Sequence, residues 1–252
     1  MKIQLIRHAT LWLEYGGLNI LVDPMLMDAE VMPAFPNTPN ELRNPRVGLP
    51  EIETDYLSPD LLIVTHTHLD HWDEAAAKQF RKDIPLICQP GDENVFLGAG
   101  FTDVTAVDEK HEHHSVRFAR TSGHHGTGEI GERMGKVSGF VLEADGEPVT
   151  YIAGDTIWCE EPAEAIRQYT PEVIVVNAGG ARFVEGDPIT MDGPDVVAVK
   201  RHAPSAHVIA VHMDAINHCV MSRTDLATYL ASEQLDGQVL IPRDGESFEF
   251  KA

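Results

Sequence analysis

Three histidines and two aspartates stand within nine consecutive positions, in the stretch THTHLDHWD at residues 65–73. Imidazole nitrogens and carboxylate oxygens are ligands that zinc, manganese and iron take from proteins. Alternate residues of an extended segment point the same way, so we expect His66 and His68 to bind one ion together. Asp70 and His71 follow a change of chain direction and are expected to face a second ion nearby. A solvated polar loop would not account for so many ligand-type residues directly after an apolar segment.

The apolar run Leu61-Leu62-Ile63-Val64 predicts a buried strand that ends where these residues begin. Asp73 is a good N-cap for a predicted helix over Glu74–Lys82. Further along the chain, short strands predominate early and strands alternate with helices later. Two sheets covered by helices would accommodate this pattern, and no linker or repeat interrupts it. We therefore predict an α/β protein that forms a single domain over residues 1–252.

Charge and composition restrict the function classes. The 252 residues carry a formal net charge of −21, which opposes the binding of nucleic acid. No apolar stretch reaches the ~18 residues that a membrane span needs, and the N-terminus does not have the pattern of a signal peptide. The odd number of widely spaced cysteines, Cys88, Cys159 and Cys219, argues against a disulfide framework. We expect ordinary core cysteines, a cytoplasmic location and a small-molecule substrate, and we leave a homo-oligomer open.

The HxHxDH pattern of residues 66–71 resembles the signature of the metallo-β-lactamase superfamily, and the resemblance spans essentially the whole chain. It implies a four-layer αββα sandwich of the metallo-β-lactamase type. It also implies three further metal ligands, namely a later histidine, an aspartate after a strand and a last histidine after another strand. The aspartate is Asp155 in AGDT, after the predicted strand Pro148–Ala153, where a carboxylate can bridge two ions.

Each of the remaining histidine ligands has two candidates. In TSGHHG the superfamily usually has histidine followed by glycine or another small residue, which favours His125. His124 would then point away from the metal or contact a metal ligand without binding the metal itself. The last histidine is His212, which ends the apolar run Val208–Val211, with His218 as its rival. A strand end is the rigid position that a ligand needs, which favours His212.

The opening residues RHATLWLEYGGLNILVDP resemble the first hairpin of the branch that includes L-ascorbate-6-phosphate lactonase, although Arg7 replaces a glycine. This resemblance implies that His8 faces the pocket and touches substrate. It also implies that Asp23 orients a ligand histidine and does not itself bind metal. Asn177, Arg223 and His218 are the other candidates for substrate contact, and for Arg223 a structural role is equally open. His111, His113 and His114 are expected to form an exposed turn.

The pattern predicts a hydrolase that uses two divalent metal ions, Zn²⁺ or Mn²⁺, with Fe²⁺ as a further candidate. By the resemblance, His66, His68 and His125 would hold one ion, Asp70, His71 and His212 the other, and Asp155 would bridge them. A hydroxide shared by the ions would attack the substrate, and Asp70 would act catalytically by orienting it and collecting its proton. The leading prediction is hydrolysis of a small lactone or ester. A small-molecule phosphodiesterase and a non-catalytic metal-binding protein are the competing hypotheses.

Overall fold

Continuous apolar runs form the central strands of two β-sheets, so that one face of each sheet meets the other sheet and the opposite face meets helices. The computed structural model describes residues 1–252, with elements numbered in chain order. The first seven-stranded sheet has the order β14-β1-β2-β3-β4-β5-β6. Its strands are β1 (Lys2–Arg7), β2 (Thr10–Tyr15), β3 (Leu18–Val22), β4 (Leu61–Val64), β5 (Leu86–Cys88), β6 (Val104–Ala106) and β14 (Ser247–Glu249).

The second seven-stranded sheet has the order β13-β12-β11-β10-β9-β8-β7. Its strands are β7 (Lys110–His113), β8 (Val116–Ser122), β9 (Ser138–Glu143), β10 (Thr150–Ile152), β11 (Val173–Asn177), β12 (His207–Val211) and β13 (Val239–Leu240). The helices are α1 (Glu74–Gln79), α2 (Glu93–Gly98), α3 (Gly128–Met134), α4 (Glu160–Tyr169), α5 (Gly193–His202) and α6 (Arg223–Ser232). None of them is long and apolar enough to cross a bilayer.

Three layers of apolar contact hold the sandwich together. The central layer joins the inner faces of the two sheets and includes Leu61 and Ile63 of β4 and Ile209 and Val211 of β12. The other faces of the same strands pack outward, because successive side chains of a strand point to opposite sides. The outer layers cover one sheet with residues from α1 and α2 and the other with residues from α4, α5 and α6. The predicted αββα sandwich is confirmed.

The strand directions bring the ends of several strands to one edge of the sandwich. In the first sheet β3, β4, β5 and β6 run parallel, and β1 has the same direction because it is separated from β3 by the antiparallel β2. In the second sheet β10, β11, β12 and β13 run parallel, and β8 shares their direction through the antiparallel β9. The loops that leave the carboxyl ends of these strands are therefore neighbours, which is where open α/β sheets bind ligands.

The elements predicted from sequence differ from the structure mainly at their ends. Helix α1 ends at Gln79, before the predicted Lys82, because Phe80 turns to an extended conformation and buries its ring against the first sheet. Helices α2 and α3 were not predicted. The histidines of KHEHH lie on the edge strand β7 and the residue that follows it, so the prediction of a turn holds only for His114.

Candidate metal centre

The HxHxDH segment leaves β4 at the edge where the strand ends meet. Thr65 follows the strand, and its backbone N–H and hydroxyl both donate to Asp23, at 2.7 and 2.8 Å. The segment ends at Asp73, whose carboxylate caps α1 by accepting from Ala76 N–H at 2.7 Å. Both ends are thus fixed by buried hydrogen bonds, so the ligand-type residues between them project from a rigid loop.

The first group of converging side chains contains His66, His68 and His125, whose nearest ring nitrogens lie within 4.8 Å of one another. His66 Nε2 is 3.0 Å from His68 Nδ1. The opposite nitrogen of His125, Nδ1, donates to the carbonyl of Ile189 at 2.7 Å, which leaves Nε2 free to act as a ligand. Of the two candidates in TSGHHG, the structure brings His125 into this group.

The second group contains Asp70, His71 and His212, and His8 lies beside them. His71 Nε2 and His212 Nε2 face each other at 3.2 Å. Asp155 lies between the two groups. Its carboxylate oxygens are 3.2 Å from His71 Nε2, 3.3 Å from His212 Nε2 and 3.5 Å from His125 Nε2. Asp155 therefore reaches the ligand atoms of both groups.

These residues fit a pair of divalent cations. Ligands about 2.0–2.1 Å from a tetrahedral zinc ion stand roughly 3.3 Å apart, close to the separations seen here. Several imidazole nitrogens point at one another inside a cluster whose members, apart from the half-buried His68, are almost completely buried. Facing lone pairs and buried carboxylates are unfavourable unless a cation or protons lie between them. The donor set of imidazole and carboxylate suits zinc, manganese or iron.

The electrostatics of the cluster lead to the same conclusion. Burial lowers the pKa of His66 and of His125, so both imidazoles are neutral and available as ligands. Burial would lower the pKa of His71 as well, but Asp155 and Asp23 outweigh it and raise that pKa to about 10. Burial would raise the pKa of Asp155, but His212 and His71 hold it well below its usual range. Without metal, the carboxylates keep a proton on His71 by raising its pKa. A bound cation would replace that positive charge.

Two buried polar residues hold the ligand-type side chains from behind. Asp23 Oδ2 accepts a hydrogen bond from His71 Nδ1 at 2.8 Å, which directs Nε2 of that ring into the cluster. Asn177 is the last residue of β11, and its side-chain amide donates to Asp155 Oδ1 at 2.6 Å. Asn177 was expected to contact substrate; it is instead buried and engaged with Asp155, because the end of β11 lies beside the end of β10.

His8 occupies a different position from the one expected. Its side chain is completely buried, and its Nε2 is 3.2 Å from Asp70 Oδ2. Its ring packs on His212 with 3.6 Å between the ring centroids. The ring therefore does not face open space, and direct substrate contact by His8 stays a prediction. The left-handed backbone of His8, with φ of 61°, turns the side chain behind Asp70.

Arg223 and His124 also lie away from the cluster. The guanidinium of Arg223 donates to Asp214, Asp244 and the carbonyl of Pro242, so it holds the start of α6 in place and does not face the cavity. The ring of His124 is exposed and pairs with Glu161 at 3.0 Å. Only the backbone of His124 supports the site, since its N–H donates to Thr156 next to Asp155.

Two cavities open beside the cluster and meet at His68 and Met134. One has a volume of about 410 Å³ and largely apolar walls, which come from Phe35, Pro36, Leu69, Met134 and Phe183. Asp70 and His218 form its inner end. The other has a volume of about 380 Å³ and a polar lining that includes Gln89, Asp92 and Lys136. A small molecule in the apolar cavity would lie directly against the candidate metal ligands.

Sequence reasoning did not identify the residues that shape this apolar cavity. Phe35 comes from the long loop after β3, which was expected only to border a site, and its ring stacks on His218 at 5.0 Å. That loop is fixed by Arg7, whose guanidinium donates to the carbonyls of Met25, Met27 and Val47. The one feature of the sequence that could have indicated this fixed loop was Arg7, an arginine at the end of an apolar strand and next to His8.

The chain matches a family model described as the beta-lactamase superfamily domain over residues 2–212. A relative in Bacillus subtilis, the UPF0173 protein YddR, is 35% identical over 254 residues, which cover 99% of this chain and 100% of YddR. The crystal structure of an isothiocyanate hydrolase from Delia radicum gut bacteria is similar with a TM-score of 0.95 and 34% identity, covering all of both chains. A possible metal-dependent hydrolase from Veillonella parvula has a TM-score of 0.95 and 33% identity, with 99% of each chain covered.

Proposed function

The chain belongs to the metallo-β-lactamase superfamily of hydrolases, and from that premise we propose that it cleaves a small molecule at an electrophilic carbon with the help of two divalent metal ions. The observation that carries the proposal is the apolar cavity that ends at Asp70 and His218, beside the two ligand groups. A catalytic cation site needs this combination of protein ligands and an open approach for substrate.

The metal ligands in this proposal are those that converge in the structure. His66, His68 and His125 would hold one ion, Asp70, His71 and His212 would hold the other, and Asp155, which lies between the two groups, would be available to both. When bound, such ions lower the pKa of a coordinated water toward ~7 and polarise the electrophile. The same oxygen, Asp155 Oδ2, lies 3.2 Å from His71 Nε2 in one group and 3.5 Å from His125 Nε2 in the other, which supports a shared rather than a separate pair of sites.

Two side chains at the inner end of the cavity act on the reacting atoms. Asp70 Oδ2 accepts from His8 and is directed toward the cluster, so it can orient the attacking water and receive its proton. His218 is 4.0 Å from the same oxygen and lines the cavity, which places it to donate a hydrogen bond to the substrate. Phe35 holds the His218 ring by stacking, and His8 positions Asp70 from its buried side.

The cavity favours a substrate with an apolar substituent. Its walls are formed by aromatic and aliphatic side chains, and the one cationic group there, Arg133, is exposed at its rim. A hydroxylated sugar phosphate would find few hydrogen-bond donors, because Arg223 is engaged elsewhere and His8 is buried. Unpaired polar groups are costly to bury, so an alkyl or aryl electrophile fits better.

Two electrophiles meet this description. An isothiocyanate is favoured by the similarity to the hydrolase from Delia radicum gut bacteria, since water attacks its central carbon and releases an amine and carbonyl sulfide. A lactone or simple ester is the second candidate, because its carbonyl carbon is attacked in the same way. The similarity of the opening hairpin to the L-ascorbate-6-phosphate lactonase branch remains a prediction, and the apolar walls argue for an apolar lactone within this class.

The test is a side-by-side assay of the metal-loaded protein. The substrates are benzyl isothiocyanate, an apolar γ-lactone, p-nitrophenyl acetate, a sugar-phosphate lactone, bis(p-nitrophenyl) phosphate and a tRNA precursor. We expect efficient turnover of the isothiocyanate or the apolar lactone, and a selective loss of affinity for it in Phe35→Ala. Turnover confined to the phosphodiester would overturn the proposal in favour of a phosphodiesterase.

Two further results of this assay would point to a different function. Metal binding without hydrolysis of any of these compounds would favour the non-catalytic metal-binding protein. Cleavage of the tRNA precursor would contradict the argument from the net charge of −21, which opposes polyanions.

A further inference from the structure

A second set of metal-ligand side chains lies outside the candidate metal centre. The ligand atoms of His124, Cys159 and Glu161 lie within 4.8 Å of one another. His124 Nε2 is 3.0 Å from Glu161 Oε1, a separation that suits two ligands of one ion. Cys159 is the N-cap residue of α4, and Glu161 lies in the first turn of that helix. The three residues offer one nitrogen, one sulfur and one oxygen.

The backbone around these side chains is held rigidly by Thr156. Its hydroxyl accepts from His124 N–H at 3.0 Å, donates to Ile157 O at 2.9 Å and lies 3.6 Å from Cys159 Sγ. Ile157 N–H in turn donates to His124 O at 2.9 Å. Gly123 packs so closely on Thr156 that a Cβ there would meet it at 2.5 Å. The two segments that carry the side chains therefore keep a fixed separation.

We propose that His124, Cys159 and Glu161 form a third cation site, which binds Zn²⁺ or another borderline-soft divalent ion such as Co²⁺. Thiolate, imidazole and carboxylate together are a zinc-type donor set, whereas Ca²⁺ and Mg²⁺ prefer oxygen alone. Because the ring of His124 is exposed, water could complete the coordination of an ion held by these three side chains. Binding forms the metal–sulfur bond and releases the thiol proton of Cys159 to solvent.

The surroundings favour a cation at this position. Glu160 and Glu164 lie on the same helix as Glu161, and Glu161 and Glu164 line one surface depression. The N-terminus of α4 repels a cation but would stabilise the Cys159 thiolate that is formed when the cation binds. Burial raises the pKa of the Cys159 thiol, so the group keeps its proton at neutral pH until a cation displaces it.

The site would connect the two loops that supply ligands to the candidate metal centre. His124 precedes His125, and Cys159 follows Asp155 by four residues. A bound ion would add a direct link between these loops to the hydrogen bonds through Thr156. The competing interpretation is that His124 and Glu161 form a simple surface ion pair, which would contribute little and involve no sulfur.

Cobalt spectroscopy separates these interpretations without an activity assay. The other proposed ligands are only imidazole and carboxylate, and the one thiol beside them is Cys219, whose Sγ lies 3.5 Å from His212 Nδ1. A near-ultraviolet charge-transfer band from thiolate to Co²⁺ therefore reports on the third site when it is lost in Cys159→Ser and kept in Cys219→Ser. The purified protein is titrated with Co²⁺, and Zn²⁺ is then added in competition. We expect the band to appear, to be bleached by Zn²⁺ and to be absent in Cys159→Ser, which retains a good N-cap residue.

The control is Cys88→Ser, because Cys88 is buried on β5 in another part of the core and should leave the band unchanged. His124→Ala and Glu161→Gln should each weaken Co²⁺ binding at the third site at least roughly tenfold, since each removes one of three protein ligands. The absence of a band in the wild-type protein, or its persistence in Cys159→Ser, would overturn the proposal. Loss of hydrolytic activity alone would bear on the proposed function and not on this site.

Discussion

The clustered histidines His71 and His125 each use one ring nitrogen for orientation and offer the other to the cluster. His71 donates through Nδ1 to Asp23, and His125 donates through Nδ1 to a backbone carbonyl. Such outer hydrogen bonds fix the tautomer and the direction of the free lone pair. His218 differs because its ring stacks on Phe35 and borders the apolar cavity. The partner that each ring contacts, and not residue type, therefore separates His71 and His125 from His218.

We predict different effects for two neighbouring histidine substitutions. His212→Ala should remove bound metal and nearly all activity, because its Nε2 lies 3.3 Å from Asp155 and 3.2 Å from His71 Nε2. His218→Ala should leave metal content unchanged and raise KM or lower kcat. Elemental analysis and steady-state kinetics on both variants provide the measurement. Loss of metal from His218→Ala with retention by His212→Ala would show that the two roles are reversed.

We also predict that Asp70→Asn keeps the fold but lowers kcat by roughly 10²–10⁴-fold, the range for loss of an acid–base group. An amide is a neutral ligand and cannot accept the proton of the attacking water. The variant should be assayed with saturating metal, so that weaker binding is not mistaken for slower chemistry. Near-normal turnover under those conditions would remove Asp70 from the proposed mechanism.

Helix ends near the site are fixed by side-chain caps rather than by helix length. Asp73 caps the six-residue α1 and also accepts from Met27 N–H at 2.8 Å, so it joins the loop after β3 to the HxHxDH segment. Helix α6 begins with a capping box formed by Ser222 and Asp225. A short helix gains little from propensity alone, so its cap contributes a large share of its stability.

We predict that Asp73→Ala lowers the free energy of unfolding by about 2–3 kcal/mol, because it removes a cap and leaves two N–H groups without acceptors. Ser222→Ala serves as the matched control, since it removes a cap at a half-buried position and should cost about 1 kcal/mol or less. Chemical denaturation of both variants in the metal-loaded state provides the comparison. Equal losses would contradict the dual role of Asp73.

Helix α5 contains a carboxylate whose charge opposes folding. Burial raises the pKa of Asp195 to about 6, although Trp158 N–H donates to it. The folded state thus holds the proton more tightly than the unfolded state, so ionised Asp195 destabilises the fold above pH 6, and this effect fades as the pH falls toward 4. Asp195→Asn keeps an acceptor for Trp158 and should stabilise the protein by about 1 kcal/mol at pH 7.5, after allowance for solvent screening.

The measurement for Asp195 is denaturant unfolding of wild type and variant at about pH 5 and about pH 7.5, on either side of its raised pKa. The stabilisation should be smaller at the lower pH, because the wild-type carboxyl is then mostly protonated. A stabilisation that is independent of pH would show that the carboxylate is not the cause.

At the scale of the whole molecule, the candidate metal centre joins the two sheets at one edge. His66, His68, Asp70 and His71 follow a strand of the first sheet, whereas His125, Asp155 and His212 follow strands of the second. The imidazole and carboxylate groups of these residues meet at this edge, and most of them are buried. Bound cations would therefore stabilise the sandwich as well as activate water, since they bind the folded state and not the unfolded chain.

We predict that removal of metal by chelation lowers the stability by roughly 4 kcal/mol for each ion present at about 1,000 times its dissociation constant. For a chain of this size that corresponds to a fall in Tm of roughly 8–16 °C per ion, at about 2–4 °C per kcal/mol. Thermal unfolding with and without chelator, followed by readdition of Zn²⁺ or Mn²⁺, provides the test. An unchanged Tm would show that the cluster does not hold metal in the folded protein.

The sequence by itself determined the features that depend on local pattern. The apolar run before residue 65, the order of predicted strands and helices and the HxHxDH spacing predict two sheets covered by helices, with metal ligands at a strand end. These signals are local because strand period, cap chemistry and ligand spacing involve residues close in the chain. The superfamily resemblance favoured His125 over His124, and the strand-end position favoured His212 over His218. The structure brings His125 and His212 into the cluster.

Only the tertiary structure decided which side chains face open space. His8, Asn177 and Arg223 have the chemistry of substrate contacts, yet neighbouring strands and loops bury or engage all three. The apolar cavity is built from Phe35, Leu69, Met134 and Phe183, which are far apart in sequence and form no pattern there. The sequence could not predict this exposure because a local segment fixes only the direction of a side chain. Whether that side chain reaches solvent depends on which distant segments pack against it.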